Sequence, residues 1–272
     1  MTEPSKSYWL LSETSGIGET RDASLQRRLP ATVGFAWLAA GWRDLWRGPG
    51  ASLSYGFGIF LLSVACVGVL FFLGRDYVLF PALGGFMIVA PFLALGLYEK
   101  SRRLEQGRKV DLGDMLAVRP RSGSQIFFTG LLLCCLMLLW TRAAVLLWAL
   151  FFGVTPFPGL EHVVAVLVST SYGWTMLAVG TAIGGLFAAF AFSISVFALP
   201  MLLDRDVDAL TAMGTSMKLV WNNLPAMIAW GMIVLALFVV CVLTGFAALI
   251  VLFPVLGHAT WHAYRAVAAP EG

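Results

Sequence analysis

Residues 224–256 read LPAMIAWGMIVLALFVVCVLTGFAALIVLFPVL, and no charged side chain interrupts these 33 residues. A helix needs roughly 20 apolar residues to cross a bilayer, so the stretch is too long for one ordinary crossing. Thr244 and Gly245 stand near its middle and suit a tight turn. The stretch therefore predicts a hairpin of two membrane-spanning helices.

The rest of the chain has the same character, with 59% hydrophobic and only 12% charged residues among 272 and a mean hydropathy of +0.84. A water-soluble domain cannot hide so much apolar surface. The apolar runs are unbroken rather than alternating, which favours helices over barrel strands. We predict an all-α polytopic membrane bundle of six transmembrane helices, at residues 53–73, 77–98, 126–152, 173–203, 224–243 and 245–264.

The basic residues predict the orientation of these spans. Sixteen of the 18 Lys and Arg residues fall on one side, and the exceptions are Arg75 in an opposite loop and Arg142 inside a span. Positively charged loops stay in the cytoplasm, so both termini are expected there. The net charge of +3 then reflects membrane sidedness and predicts no nucleic-acid partner.

The first 33 residues are polar and are predicted to form a cytoplasmic tail. They contain no apolar stretch long enough for the hydrophobic centre of a secretory signal. Residues 34–272 are then expected to form a single six-span membrane domain.

Partial matches in the same order predict a threefold repeat of one amphipathic helix followed by a transmembrane hairpin. FPALG at residues 80–84 recurs as FPVLG at 253–257, and R-x-V-D at 108–111 recurs at 205–208. In the third unit, Asp208 is a natural N-cap for the amphipathic helix.

The amphipathic members of the repeat are clearest before the first and fifth spans. Their predicted apolar faces contain Leu38, Trp42, Leu45 and Trp46 in one helix, and Leu210, Met213, Met217, Val220 and Trp221 in the other. Tryptophan at headgroup level favours helices that lie in the membrane interface, with a groove for a partner as the alternative.

Arg142 is the one charge well inside a predicted span, which makes it a functional candidate. It lies about 24 Å along the helix from Ile126, near the outer interface, so its side chain can reach the headgroups. The alternative is that Arg142 pairs with a partner's carboxylate or another anionic group.

His258 and His262 form an H-x-x-x-H pair on one face of the sixth span. Interfacial hydrogen bonding is the favoured interpretation, because the pair lacks the Glu of H-E-x-x-H and a third ligand. Metal or haem ligation remains the alternative. The four cysteines all lie in apolar spans and are expected to act as small packing residues, so no cofactor is predicted.

Glu99, Arg102 and Arg103 lie in LYEKSRRLEQG, residues 97–107. Glu99 can pair with Arg102 at i, i+3 and with Arg103 at i, i+4, which indicates a helix that continues into water and ends near Gly107. The alternative is a contact with a lipid phosphate or another subunit.

GWRDLWRGP, PFLALGLYEKSRRLEQG, PMLLDRDVDAL and FPVLGHATWHAYR together resemble a bacterial integral membrane family catalogued as domain of unknown function 2189, over residues 35–265. The resemblance implies a membrane fold in the bacterial inner membrane. Some members carry the label of cytochrome c oxidase proteins, but the catalytic subunit of such an oxidase needs more than the three histidines present here. An association with a respiratory complex is what the label implies.

Nucleotide-binding, hydrolase and metalloprotease motifs are absent from the sequence, and no span has a carboxylate at its middle. We therefore expect a protein that is not an enzyme. The first hypothesis is an accessory, structural or assembly subunit of a larger membrane complex, and a respiratory complex is the class that the family label implies. The alternative is a transporter or channel for a small or lipid-like solute, as repeated hairpins and proline-interrupted spans suggest.

Overall fold

The computed structural model describes residues 25–153 and 159–268. Within these ranges the chain is helical and contains no strand. Its helices are α1 Val33–Trp46, α2 Pro49–Phe72, α3 Leu79–Leu93, α4 Leu95–Glu105, α5 Leu112–Leu116, α6 Gly123–Phe152, α7 Leu160–Ser169, α8 Ser171–Ser195, α9 Ala198–Asp204, α10 Ala209–Asn222, α11 Leu224–Leu243 and α12 Leu249–Ala268.

Five helical segments are long and apolar enough to cross a membrane, so the membrane class and the all-α prediction are confirmed. They are Pro49–Phe72, Leu79–Glu105, Gly123–Phe152, Ser171–Asp204 and Leu224–Leu243. The second and fourth are each two helices in near continuity, interrupted at Ala94 and at residues 196–197. Ala94 follows Pro91, whose ring disturbs the helical ladder.

The predicted hairpin turn is present, but the sixth span is not confirmed. Helix α11 ends at Leu243, and Gly245 adopts a left-handed backbone with φ of +59°. Helix α12 is not one of the five segments, because His258, His262 and Arg265 occupy its second half. The number of crossings, the side of each terminus and the threefold repeat stay predictions.

Helix α12 is the centre of one half of the fold. Helix α1 runs parallel to it, and Gly41 brings the α1 backbone against Val255 and Ala259. Helix α2 runs antiparallel, with Gly56 against Ile250. Any larger side chain at these two glycines would collide with backbone atoms, so glycine is what lets three helices pack closely.

Helices α3, α6 and α8 form the other half. The indole of Trp140 on α6 fits between Gly84 of α3 and Gly184 of α8, and its Nε1 donates to the carbonyl of Pro81 over 2.9 Å. The two halves meet at what we call the basic end, where α4, α9, α10 and the last turns of α12 pack together. This end carries Lys100, Arg102, Arg103, Arg205 and Arg265.

The described end of the predicted tail is attached to the bundle. The backbone N–H of Arg27 donates to Asn223 Oδ1 over 2.9 Å, and the Asn223 amide donates to the carbonyl of Leu25 over 3.0 Å. Residues 1–24 lie outside the described residues, so most of the predicted tail does too.

Candidate functional site

A groove opens sideways between α8 and α11, and we call it the lateral groove. Its volume is about 1360 Å³. Met87 and Gly84 of α3 form its floor, and α10 closes the basic end with Lys218 and Trp221. The α11 side chains along it include Ile228 and Met232, which are 61% and 59% exposed. The groove therefore faces the surroundings of two candidate spans, where lipid is expected.

Several glycines in the lateral groove have open space where a side chain would stand. A Cβ added at Gly185, Gly214 or Gly231 would meet no heavy atom within 4 Å. These glycines differ from Gly41 and Gly56, which are needed for contact between helices. The groove thus presents bare backbone to whatever fills it.

A smaller space, which we call the inner cavity, lies beside the lateral groove. It measures about 130 Å³ and shares four lining residues with the groove: Met87, Ala188, Phe192 and Val234. Six of its 18 lining residues are aromatic, including Phe86 and Phe238, whose rings stack with centroids 5.7 Å apart. The inner cavity is therefore an apolar chamber that adjoins the groove.

Tyr98 is the polar residue of greatest interest in the cavity wall. Its side chain is 2% exposed and lines the inner cavity. The Tyr98 hydroxyl makes no hydrogen bond to a residue of the described ranges. Trp230 in the same wall has a fully buried indole N–H that also lacks a partner in these ranges. A buried donor without a partner costs about 1–3 kcal/mol, so the contents of the cavity are the place to look for an acceptor.

The basic end holds a second feature, a buried polar cluster of six side chains. Its members are Asp44, Ser52, Lys100, Ser101, His258 and His262. All except His262 are at most 3% exposed, and they come from α1, α2, α4 and α12. One network therefore joins four helices.

The hydrogen bonds of the polar cluster run in one direction. Lys100 Nζ donates to the Gly48 carbonyl over 2.8 Å and to Ser52 Oγ over 2.7 Å. Ser101 Oγ donates its single proton to Asp44 Oδ2 over 2.8 Å, so it can only accept from His258 Nδ1, at 2.9 Å. His258 Nε2 then accepts from Ser52 Oγ over 2.9 Å. The network thus assigns His258 as neutral, with its proton on Nδ1.

Asp44 is the acceptor at which the cluster converges. His262 Nε2 lies 2.8 Å from Asp44 Oδ2, beside the bond from Ser101. Burial by itself raises the pKa of the Asp44 carboxyl, but hydrogen bonds from His262 and Ser101 outweigh it and hold the pKa below its usual value. Asp44 is therefore ionised at neutral pH.

Ser52 lies within hydrogen-bonding distance of both His258 and Lys100, a combination that can activate a serine nucleophile. However, Ser52 is fully buried, and none of the six cluster residues lines the lateral groove or the inner cavity. The geometry of the cluster favours a role in holding helices together.

The two predicted histidines belong to this cluster but do not form a paired ligand site. His258 contacts Ser52 and Ser101, whereas His262 contacts Asp44. Among the described residues, no group of three or more His, Cys, Asp or Glu side chains is placed to hold a metal ion. Both imidazoles make hydrogen bonds in this structure.

Glu99 makes the two predicted pairs, with Arg102 at 2.7 Å and with Arg103. The helix ends at Glu105, and Gly107 adopts a φ of +70°, as predicted. The expectation that this segment continues into water holds only for its end at residues 105–107, which are exposed, whereas Glu99, Lys100 and Ser101 are at most 1% exposed. Helices α5, α9 and α12 pack around α4 and cover it.

The three predicted tryptophans remain accessible. Trp42, Trp46 and Trp221 are 47%, 56% and 52% exposed. The predicted apolar face of α1 is partly wrong, since Leu45 is buried with Trp37 against the bundle. The contact side of α10 combines small residues such as Ala212 and Ser216 with Val220, which is the buried member of the predicted face. Trp221 lines the lateral groove, so one predicted lipid contact belongs to the site.

Arg142 lies exposed on α6, away from the groove and the cavity. It forms no ion pair with a residue in the described ranges. The Asp208 N-cap is confirmed, with its carboxylate accepting from the Thr211 N–H over 2.9 Å.

The comparison with protein families agrees with this membrane architecture. Residues 79–204 match a family model described as predicted integral membrane protein (DUF2189). The predicted resemblance is thereby confirmed over α3 to α9, while GWRDLWRGP and FPVLGHATWHAYR lie outside the matched region. The match includes Tyr98 and the α3 and α8 walls of the lateral groove, but not α10 and α11.

No curated protein and no solved structure matches the chain.

Sequence reasoning missed Tyr98, Ser52, Lys100 and Asp44 as parts of a site. Lys100 and Asp44 could have been recognised in the sequence, because each is a charged residue next to apolar helix positions, and such positions are buried in the structure. Tyr98 could not have been, since tyrosine at the end of an apolar span is also typical of the membrane interface.

Proposed function

We propose that the chain is a non-catalytic integral membrane protein that binds a lipid-like molecule taken from the bilayer through the lateral groove. The observation that supports this most is that the groove and the inner cavity adjoin and share walls at Ala188 and Phe192. A movement of these side chains would give a molecule in the lipid phase an apolar route into the bundle.

The chemistry of the groove supports an amphiphilic occupant. Its length is apolar, whereas Lys218, Asn222 and Ser193 stand at the basic end. Trp221 at the same end is the residue type that membranes place at headgroup level. This polarity is the one that a membrane lipid has, so lipid in its ordinary orientation matches the groove.

The orientation belongs to the same proposal. We place the basic end in the cytoplasm of a bacterium, with α12 as a sixth crossing and both termini inside, because Lys and Arg cluster there. The exposed tryptophans of α1 and α10 then lie at the inner interface.

Neither apolar space provides a polar pathway, which favours a lipid-like molecule over an ion or a polar solute.

The accessory-subunit hypothesis is the second candidate, and the bare glycines favour it. Gly185 and Gly231 would allow the close approach of a transmembrane helix from another protein. A respiratory complex of the cytochrome oxidase type is the partner class that the family label suggests. In this case a helix, rather than a lipid, fills the groove.

One experiment separates the two candidates. Purification in mild detergent, followed by native mass spectrometry and protein identification, is applied to the wild type and to Gly185→Leu and Gly231→Leu, which fill the groove. Gly58→Leu and Gly68→Leu on α2 are matched controls, because they also meet nothing within 4 Å and do not line the groove.

We expect the wild type and the α2 controls to retain a lipid that the groove variants lose. A co-purifying membrane protein lost from the same variants would replace the lipid proposal with the accessory-subunit one. Retention of neither, or equal lipid in all five proteins, would contradict the proposal.

A further inference from the structure

The dimensions of the two spaces indicate which kind of lipid they hold. The inner cavity of about 130 Å³ is close in size to an engineered cavity of about 150 Å³ that binds one benzene molecule. The lateral groove is about ten times larger and is open along its side. A small compact group in the cavity and a long chain in the groove would fill both.

The cavity wall favours a ring as the compact group. Phe86, Phe238 and Phe253 surround it, and Phe86 already packs against each of the other two. Aromatic faces and edges interact well with another flat ring. An acyl chain would gain no comparable geometry from them.

Tyr98 indicates what the ring carries. Its side chain lines the cavity, and its hydroxyl has no partner in the described ranges. The other hydroxyl in the wall, Thr260 Oγ1, already donates to the Leu256 carbonyl over 2.8 Å. Two donors in the wall are therefore without an acceptor among the described residues, the Tyr98 O–H and the fully buried Trp230 Nε1–H. A carbonyl oxygen can accept from such donors and brings no donor that the apolar wall would have to satisfy.

We infer that the groove and the cavity together bind a ring lipid, a molecule with one six-membered ring that carries a carbonyl oxygen and a long apolar chain. The ring occupies the inner cavity beside Tyr98, and the chain leaves past Ala188 into the groove. This inference rests on the proposed function, because it names the class of lipid for the same site.

Cys241 provides a reporter inside the cavity. It is 1% exposed and lines the inner cavity, whereas Cys66, Cys134 and Cys135 are exposed. Replacing the three exposed cysteines by serine leaves Cys241 as the only thiol, and its alkylation by N-ethylmaleimide then reports on access to the cavity. The thermal unfolding temperature is a second readout that does not require the reagent to enter, since a bound ligand raises it.

Four probes test the ring, the carbonyl and the chain separately. The compound 4-decylacetophenone has all three, decylbenzene lacks the carbonyl, and 2-dodecanone lacks the ring. Palmitate represents an ordinary chain lipid. At equal concentration in nanodiscs, we expect 4-decylacetophenone to slow the alkylation of Cys241 about 10-fold more than the others do. In Tyr98→Phe the advantage over decylbenzene should disappear, and Ala188→Phe, which narrows the passage, should remove protection by every probe.

The outcomes distinguish the inference from the proposed function. Equal protection and equal thermal stabilisation by palmitate, 2-dodecanone and the ring compounds would overturn the ring lipid but leave a lipid site. Equal effects of 4-decylacetophenone and decylbenzene, unchanged in Tyr98→Phe, would overturn the carbonyl. If no probe slowed alkylation or raised the unfolding temperature, both proposals would fail.

Discussion

The polar cluster and the lateral groove use glycine in opposite ways. Around the cluster, Gly41 and Gly56 lie where the backbones of α1 and α2 touch α12. In the groove, Gly185 and Gly231 face empty space. A glycine that permits contact between helices has a packing role within the chain. A glycine that faces open space in an apolar groove has none, and it leaves a surface on which another molecule can bind. The comparison indicates that the chain completes its own packing at the basic end and leaves it incomplete beside α11.

The two regions also differ in how their polar groups are satisfied. Lys100 and Asp44 are buried charges, but hydrogen bonds through Ser52, His258 and Ser101 connect them. Such a network is stabilising only when every member has its partner. In the inner cavity the Tyr98 hydroxyl has none among the described residues. The cluster is complete within the chain, and the cavity is not.

The largest effect that would test this contrast is expected from Gly41→Val. The added Cβ would lie 2.5 Å from the Val255 carbonyl oxygen and 2.7 Å from the Ala259 nitrogen, and backbone atoms cannot move aside. We expect a loss of more than about 3 kcal/mol of stability, measured as a fall in unfolding temperature in detergent. Gly231→Val is the control and should fold normally; equal behaviour of the two variants would remove the contrast.

A smaller effect is expected from Asp44→Asn, which changes the acceptor at the end of the cluster. Ser101 and His262 would lose a charged acceptor, and Lys100 would lose the nearby opposite charge. We expect a destabilisation of about 2 kcal/mol, because hydrogen bonds to charged groups are worth about 1.5–3 kcal/mol. Asp114→Asn on α5 is a more exposed comparison, and an equal loss there would mean that burial of Asp44 is unimportant.

The pH dependence of stability provides a third test of the cluster. The pKa of Asp44 in the folded protein is below its ordinary value of 3.8, so its contribution is present above that value and is lost as the pH falls through the folded pKa. The stability difference between the wild type and Asp44→Asn should therefore shrink as the pH falls below about 4. A difference that stayed constant between pH 6 and pH 3 would contradict the assigned role of the carboxylate.

The smallest effect on stability is expected from the groove itself. A Cβ added at Gly231 meets no atom within 4 Å, and leucine favours helix more than glycine does. We expect its unfolding temperature, after delipidation, to equal or exceed that of the wild type within about 0.5 kcal/mol. Loss of stability in the delipidated protein would show that the groove closes on itself and that its bare glycines touch something after all.

Hydrophobicity predicted the parts of the fold that depend on lipid. The bounds of α11 were predicted as 224–243 and the helix covers Leu224–Leu243, because 20 apolar residues between Asn223 and Thr244 leave little freedom. The role of helix α12 was harder to predict. Its first half is as apolar as α11, but its second half contains His258 and His262, whose burial depends on α1 and α4. Local sequence contains no information on such distant partners.

The candidate site was predicted only in part. Trp221 was expected to contact lipid and lines the groove, whereas Tyr98 and the gap between α8 and α11 were not foreseen. The gap exists because two helices do not pack against each other, which depends on the tertiary structure. In the sequence both helices look like ordinary apolar spans. The polar cluster was missed for a related reason, because its six members come from distant positions along the chain.

The most direct test is an experimental structure of the wild-type protein in lipid nanodiscs, at a resolution that shows lipid chains. The account predicts continuous density between α8 and α11 that passes Ala188 and ends in a compact feature beside the Tyr98 hydroxyl. Direct contact between α8 and α11, or a helix of another chain in the groove, would contradict it.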